Sequence, residues 1–446
     1  MIVTRIPPSP TGHLHIGTVR TALFNYLFAR HHGGKFVFRS EDTDRTRSTK
    51  EFENEIISGL QALGLNWDNE EIIRQSERVD IYRRYLDEGI GKGVFYISKE
   101  ESKQNPGETV EVVRLKNPNK TITFTDLIRG DITFDTTELG DIVVARSLND
   151  ALYHLTVVVD DFEMGVTHVL RGEDHISNTP RQILIQEALG FGRPLYAHLP
   201  LILAPDRSKM SKRHGAVAVS EYLDEGFLPA AIINYLALLG WNPGTDKEIF
   251  TLEELVKDFD ISGVHKAGAI FDRQKFLWFN KQHLGSLSDE EYLKKVQDFL
   301  PEKVLTLPDF TEERLLKLLP TIKERTEALG EISTAAGAGE YDFAFKDPDV
   351  PTAMIRWKND ASLEVVLPRL QKLLELLEKT DFSSPDAIKN SLWDYVLSEG
   401  KGEVLWPFRV ALTGLERSPD PFTVAYIIGP VDTKRRIKRA CVKIKE

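Results

Sequence analysis

The sequence predicts an α/β fold: a largely parallel sheet flanked by helices, followed by a region that is helical throughout. Three observations carry this. Over the first 300 residues short apolar β runs alternate with segments of helical period, the order that builds parallel sheets. Between 110 and 146 that order gives way to four β runs in close succession, broken by Pro, Gly, Asn and Asp. They read as an insertion, antiparallel or mixed, between two halves of the sheet. From about Thr251 strand signals thin out and helical periodicity takes over.

The elements follow in order. Residues 2–6 form a short apolar strand that ends at Pro7-Pro8. Residues 15–30 form a helix, with Val19, Leu23, Tyr26 and Leu27 at helical spacing. A second strand spans 36–39 and a second helix 49–63, with Thr49 as its N-cap. A third helix spans 79–91. The inserted β runs are 110–115, 122–124, 132–134 and 142–146. The parallel pattern resumes with strand 168–171, helix 178–189 and strand 198–204. Helices are predicted at 251–258, 289–299, 311–330, 361–378 and 384–398. Gly-rich 335–339 and Ser383-Ser384-Pro385 read as joints.

Composition bounds the function. The chain has 446 residues, 57 Lys+Arg against 68 Asp+Glu, and a net charge of −11. That balance argues against a general nucleic-acid coat, although a local basic face remains open. One cysteine, Cys441, rules out an intrachain disulfide and a Cys-rich zinc site. No apolar run approaches the ~20 residues of a membrane span, and MIVTRIPPSPTG has no apolar signal core. A soluble cytoplasmic protein is the expectation.

Two constellations carry chemistry. The first, Pro8-Ser9-Pro10-Thr11-Gly12-His13-Leu14-His15-Ile16-Gly17, lies between the first strand and first helix. Ligands of open α/β sheets bind at that edge. Gly12 and Gly17 admit a bulky group close to the backbone, and the helix start offers free N–H groups to phosphate. His15 is placed to donate to a phosphate oxygen. Alone, the segment is equally well a Pro/Gly turn with a surface histidine. The second is Lys209-Met210-Ser211-Lys212-Arg213, a cationic loop suited to neutralising charge on a transferring phosphoryl group. Alone, it is a solvated basic loop.

Together, and in this order, the two resemble the signature pair of class I aminoacyl-tRNA synthetases. The flanks narrow the resemblance to bacterial glutamyl-tRNA synthetases. They include Arg5-Ile6-Pro7-Pro8, Arg39-Ser40-Glu41-Asp42-Thr43-Asp44, Tyr153-His154-Leu155, Val158-Val159-Asp160-Asp161, Arg171-Gly172-Glu173-Asp174-His175, Asn178-Thr179-Pro180 and Leu236-Ala237-Leu238-Leu239-Gly240-Trp241. Pro407-Phe408-Arg409-Val410-Ala411-Leu412-Thr413-Gly414 extends it to the last domain. The likeness is strong in 1–60 and 126–245 and looser in 290–400. The resemblance implies a Rossmann-like catalytic domain with an α/β insertion, then all-α anticodon-binding subdomains. The divisions expected are 1–95 for the first half of the catalytic domain and 96–190 for the acceptor-end insertion and the return to the sheet. The second half and stem-contact region take 191–300, and two anticodon subdomains take 301–375 and 376–446.

The implied activity is ATP-dependent attachment of L-glutamate to the 3′ terminal adenosine of tRNA(Glu), through glutamyl-adenylate, with release of pyrophosphate and AMP. By resemblance, Arg5, Ser9, Glu41, Tyr153 and Arg171 form the glutamate pocket. The chemistry fits: arginine forks hold carboxylates bidentately, Glu41 holds the ammonium, and Ser9 and Tyr153 add neutral hydrogen bonds. The ATP side is Pro8, Ser9, Pro10, Thr11, Gly12, His13, His15, Gly17, Thr18, Asp174, Lys209, Met210, Ser211, Lys212 and Arg213. Of these His15, Lys209 and Lys212 are the catalytic residues, with Mg²⁺ on the phosphates. Asp42 and Asp44 are expected to brace the pocket rather than bind metal.

Two rivals are disfavoured on residues. Glutamine-specific relatives read Pro-Glu-Pro-Asn-Gly where this chain has Pro8-Ser9-Pro10-Thr11-Gly12. A simple nucleotidyltransferase needs neither Arg5, Glu41 and Arg171 nor a long helical C-terminus. One departure stands out: where many relatives carry a Cys/His zinc site, residues 96–109 (YISKEESKQNPGET) have neither Cys nor His. No zinc is expected. The tail KRRIKRACVKIKE, seven cations against one side-chain anion, reads as an amphipathic helix with Ile437, Ala440, Cys441 and Ile444 inward. The second reading of the tail is contact with tRNA phosphates. Expected partners are tRNA(Glu), glutamate and ATP, with no membrane; a monomer is usual for the family.

Overall fold

The computed structural model describes residues 1–101, 107, 109–210 and 218–446. The chain divides into two compact units, Met1–Asn280 and Lys281–Glu446. The first begins β1 (Val3–Ile6), α1 (Ile16–His31), β2 (Lys35–Ser40), α2 (Lys50–Ala62), β3 (Ile73–Arg74) and α3 (Val79–Gly91). It continues β4 (Phe95–Glu101), β5 (Thr109–Leu115), β6 (Thr121–Asp126), β7 (Gly130–Asp135), β8 (Ile142–Ser147) and β9 (Asp150–Ala151). Then come α4 (Tyr153–Glu163), β10 (His168–Gly172), α5 (Thr179–Leu189), β11 (Leu195–Leu199) and β12 (Ile202–Leu203). It closes with α6 (Val219–Asp224), α7 (Pro229–Leu238), α8 (Leu252–Asp258) and β13 (Ala269–Ile270), and α9 (Arg273–Gly285) crosses the division.

The strands are parallel where βα units predict it. β1 pairs with β2, β2 with β3, and β10 with β11, all parallel. Thr167 brings β10 beside β1: its N–H donates to Val3 O at 3.0 Å and its Oγ1 accepts from Val3 N at 2.9 Å. The β strands are buried on both faces, as helix-covered parallel strands must be. α1 is buried over most of its circumference; the buried Asn25 spans the seam, donating to Leu170 O at 3.0 Å. Thr49 caps α2 as expected, accepting from Phe52 N at 3.2 Å.

The insertion is mixed. β4-β5-β8-β9 form an antiparallel sheet, while the β6–β7 hairpin joins the edge of β11 in parallel. Side chains fasten the first of these: Arg114 of β5 holds Glu100 of β4 at 2.5 and 3.0 Å, and Tyr96 of β4 donates to Asp141, just before β8, at 2.7 Å.

Several elements differ from the sequence expectation; β4, α4 and α18 have no counterpart in it, and the helix expected at 361–378 starts at Val366. The strand predicted at 198–204 is two, β11 and β12, because Pro200 has no N–H to continue a ladder. The helix predicted at 311–330 ends at Arg325; Thr326 is extended and its hydroxyl donates to Ile322 O at 2.8 Å. α7 had no amphipathic signal, because residues 231–237 are all buried.

The second unit is helical throughout its described residues: α10 (Asp289–Phe299), α11 (Glu302–Leu305), α12 (Glu312–Arg325), α13 (Gly330–Gly337), α14 (Asp342–Phe345), α15 (Thr352–Ile355), α16 (Val366–Leu377), α17 (Pro385–Glu399), α18 (Lys401–Thr413) and α19 (Pro421–Lys445). The two expected joints are helix ends: 335–339 closes α13, and Ser384 caps α17 through Ala387 N at 3.1 Å. α19 bends at Gly429, whose φ of 81° suits glycine. Its tail is amphipathic: Ile437, Ala440 and Cys441 are buried, and Ile444 is half-buried. Its cations serve the fold. Lys434 pairs with Glu378, Arg435 and Arg439 with Asp347, and Lys443 with Asp349. Arg436 is buried and donates to the carbonyls of Phe343, Leu412 and Lys346 at 2.7–2.9 Å.

Candidate active site

The parallel strands deliver their C-terminal ends to one cavity of about 880 Å³. β1 supplies Arg5 and the turn after it, with Pro8, Ser9, His13 and His15; α1 supplies Gly17, Thr18 and Arg20 from its first turns. The loop after β2 brings Glu41, α4 brings Tyr153, β10 brings Arg171, and the following turn brings Asp174 and His175. Lys209 and Met210 complete the wall.

The first turn of α1 carries no acidic residue, so its free N–H groups and positive end face the cavity without competition from a carboxylate. A Cβ on Gly17 would meet the His15 ring at 3.4 Å, and one on Gly12 would enter open space. His13 turns away to Glu55, its Nδ1 2.7 Å from Oε2. Pro10 lines a neighbouring cavity with Asp42, and Thr11 and Gly12 lie off both walls.

The residues flanking 211–217 are fixed at this cavity. Lys209 bridges Leu203, Met210 N donates to Ile202 O at 3.1 Å, and Ala218 bridges His15. Ser211, Lys212 and Arg213 lie outside the described residues. Lys209 Nζ donates to Asp174 Oδ2 at 2.8 Å, with both side chains about half exposed. Burial would raise the Asp174 carboxyl, but hydrogen bonding to Lys209 and the nearby cations outweigh it and hold it below its ordinary range.

Beside them lies a buried ionic cluster. Asp161 accepts from Arg39 Nη1 at 2.7 Å and Arg5 Nε at 3.3 Å; Arg39 Nη2 donates to Glu41 at 3.0 Å. Asp160 accepts from Arg78 at 2.7 Å, Tyr82 at 2.8 Å and Gln75 at 2.9 Å. Burial works against the Arg39 charge, but Asp161, Glu41 and Asp160 outweigh it and hold the guanidinium firmly protonated. Burial pushes Glu41 up, with Arg39 opposing. Burial, with Glu41 nearby, pushes the Tyr153 phenol up to about 12, so it stays a neutral donor.

Arg171 is different. It is 6% exposed and forms no ion pair among the described residues. Its Nη2 donates to Thr179 Oγ1 at 2.9 Å, its Nε to His198 Nε2 at 3.4 Å, and its guanidinium lies 5.7 Å from the Tyr196 ring centroid. Burial lowers its pKa, and the more distant influence of Tyr153, Tyr196 and Asp161 offsets the lost hydration only in part. Arg5 and Arg39 share Asp161, whereas the carboxylate of Arg171's own network, Asp126, reaches it only through His198. A buried charge of this kind is costly unless a ligand anion completes it.

Of the remaining expectations, Asp42 lines the neighbouring cavity and accepts from Ser76 N at 2.8 Å and Ser76 Oγ at 2.5 Å. Asp44 faces Thr46 and Arg47 at the surface instead. Sequence reasoning missed Arg20, which is buried on the cavity wall and donates to Pro200 O at 2.7 Å. Its position one helical turn after Gly17, facing the Pro200 break, was the available signal. It also missed the roles of Arg78, His198 and Asp126, which carry no motif of their own.

The comparisons fit this geometry. Residues 1–105 and 97–278 match the family described as tRNA synthetases class I (E and Q), catalytic domain, and residues 276–441 match an anticodon binding domain. A glutamate–tRNA ligase of Thermodesulfovibrio yellowstonii is 38% identical, over 98% of this chain and 99% of the relative. The chain belongs to the glutamate–tRNA ligase family of class I synthetases. One from Nitratidesulfovibrio vulgaris is 40% identical over 98% and 99%. A crystal structure of a glutamate tRNA ligase from Elizabethkingia meningosepticum, in complex with its amino acid, superposes with a TM-score of 0.87. It is 32% identical, and the match covers 99% of both chains. Members of this class use ATP. No described helix is long and apolar enough to cross a membrane.

Proposed function

We infer that this chain is itself a glutamate–tRNA ligase. It joins L-glutamate to AMP and passes it to the 3′ terminal adenosine of tRNA(Glu). The observation that carries the reading is Arg171, a buried guanidinium with no described carboxylate partner, on the wall of a cavity that also presents Arg5, Glu41 and a helix N-terminus. Glutamate carries two carboxylates and one ammonium, and a carboxylate is the direct partner that Arg171 lacks among the described residues. In this reading Arg171 and Arg5 take carboxylates, Glu41 takes the ammonium, and Ser9 and Tyr153 add neutral bonds.

The α-carboxylate attacks the α-phosphate in line and pyrophosphate leaves; no protein acid or base is needed, so positioning and charge stabilisation do the work. His15, the start of α1, Lys209 and Lys212 stabilise the phosphates. Asp174, on the ATP side, is the carboxylate that would hold Mg²⁺, which would supply charge neutralisation on the phosphates there. We assign 96–190 to the tRNA acceptor end, and 301–375 and 376–446 to the anticodon arm. We propose that the protein is a cytoplasmic monomer and works without zinc; for the latter, 96–109 carries neither Cys nor His, and the Arg114–Glu100 ion pair fastens β4 to β5. Lys434, Arg435, Arg436, Arg439 and Lys443 of α19 take internal pairs, which favours the amphipathic reading of the tail over phosphate contact.

The test is charging of transcribed tRNA(Glu) with labelled glutamate or glutamine. Glutamate is expected to be charged, with glutamine disfavoured about a hundredfold or more, because its amide leaves a buried arginine unpaired. Equal charging of both would overturn the reading.

A further inference from the structure

Arg171 rests on a set of groups that no motif marks. His198, at the end of β11, is fully buried. Its Nδ1 lies 2.6 Å from Asp126 Oδ2, and its Nε2 lies 3.4 Å from Arg171 Nε and 3.1 Å from Thr179 Oγ1. The donors settle the tautomer. Asp126 is a carboxylate, which only accepts, so Nδ1 carries the proton. Arg171 Nε only donates, so Nε2 carries the lone pair. Asp126 is itself fixed: Oδ1 accepts from Ile128 N at 3.0 Å and Arg129 N at 2.9 Å, and Oδ2 also accepts from His198 N at 3.0 Å. The His198 ring stacks on Tyr196, which also lies under the Arg171 guanidinium.

We propose that Asp126, His198 and Thr179 are positioning residues for glutamate recognition. They fix the orientation of the Arg171 fork while leaving it no internal anion, so that a ligand carboxylate supplies one. This rests on the reading that Arg171 takes a glutamate carboxylate. Asp126 belongs to β6, in the insertion, and the other members belong to the parallel sheet and α5. The carboxylate that seats the insertion against β11 therefore also sets the tautomer that aims Arg171. A misaimed bidentate fork loses affinity as surely as a missing one, because the two parallel hydrogen bonds need defined geometry.

The test compares two amides at 198. In His198→Gln the side-chain carbonyl reaches the place of Nε2 and still accepts from Arg171. In His198→Asn the amide reaches only the place of Nδ1, keeping Asp126 and losing Arg171. The expected result in tRNA-stimulated pyrophosphate exchange is a glutamate KM raised about 10- to 100-fold in His198→Asn and largely recovered in His198→Gln. The ATP KM should change less than about twofold in both. Equal effects of the two variants, parallel movement of the ATP KM, or no effect would overturn the proposal. Should either fold poorly, Thr179→Val decides: it keeps the shape and removes the hydroxyl that accepts from Arg171 Nη2. A higher glutamate KM with unchanged ATP KM supports the proposal, and an unchanged glutamate KM refutes it. Glutamate-dependent exchange by the unsubstituted protein reports on the functional reading separately from the variants.

Discussion

Arg171 and Arg39 are both buried arginines of the first unit, yet their replacement by methionine should have opposite effects on stability. Arg39 is 0% exposed and donates to Asp161 at 2.7 Å and Glu41 at 3.0 Å. Removing it leaves Glu41 without its hydrogen-bonded cation and Asp161 with Arg5 alone. Breaking a buried pair in this way costs about 3–5 kcal/mol. Arg171 has no described carboxylate to abandon. Its loss removes an uncompensated charge, and Thr179 Oγ1 keeps His175 O as an acceptor at 3.3 Å. Arg171→Met should therefore unfold within about 1 kcal/mol of the unsubstituted protein, or above it. Function should run the other way. Losing a buried, charge-assisted fork costs about 3–5 kcal/mol of binding, or about 10² to 10⁴ in kcat/KM for glutamate. Urea unfolding followed by circular dichroism, paired with pyrophosphate exchange, reads both quantities. If Arg171→Met destabilises as much as Arg39→Met, or leaves kcat/KM for glutamate intact, the argument from the uncompensated charge is wrong.

Further predictions come from the cationic loop motif and from the buried groups. Lys212→Ala should depress adenylate formation by orders of magnitude with folding intact; a rate near that of the unsubstituted protein would remove Lys212 from the mechanism. His154 and His175 are held down to about 4 from 6.5, chiefly by burial and then by neighbouring cations. The unfolded chain thus binds more protons between those values, so stability is full above about 6.5 and falls as pH drops towards 4. Unfolding midpoints across that window check the slope, and His154→Phe should flatten it. Arg436→Met should destabilise by about 3–5 kcal/mol, because three carbonyls lose a buried cationic donor. Differential scanning calorimetry measures that loss.

Much of the fold was legible because its signals are local. The Thr49 cap, the helix Val79–Gly91 and the β runs of the insertion each follow from a few adjacent residues. α7 was not legible, since a helix buried all round shows no stripe. The break at Pro200 was written in the sequence, but a strand and a broken strand share the same apolar run. The site divides the same way. Arg5, Glu41, Tyr153 and Arg171 sit in motifs, and the fold brings them to one cavity. That Arg5 shares Asp161 while Arg171 stands uncompensated depends on contacts 156 residues apart in the chain, which no local pattern encodes. The bed of Asp126 and His198 is likewise assembled across 72 residues.

The central claim is that this cavity activates glutamate for transfer to tRNA, and pyrophosphate exchange tests it most directly. Glutamate and glutamine are each supplied with ATP, with and without tRNA(Glu). The account predicts exchange with glutamate when tRNA is present and little with glutamine. Exchange with glutamine but not glutamate, or with neither in the presence of tRNA(Glu), would contradict it.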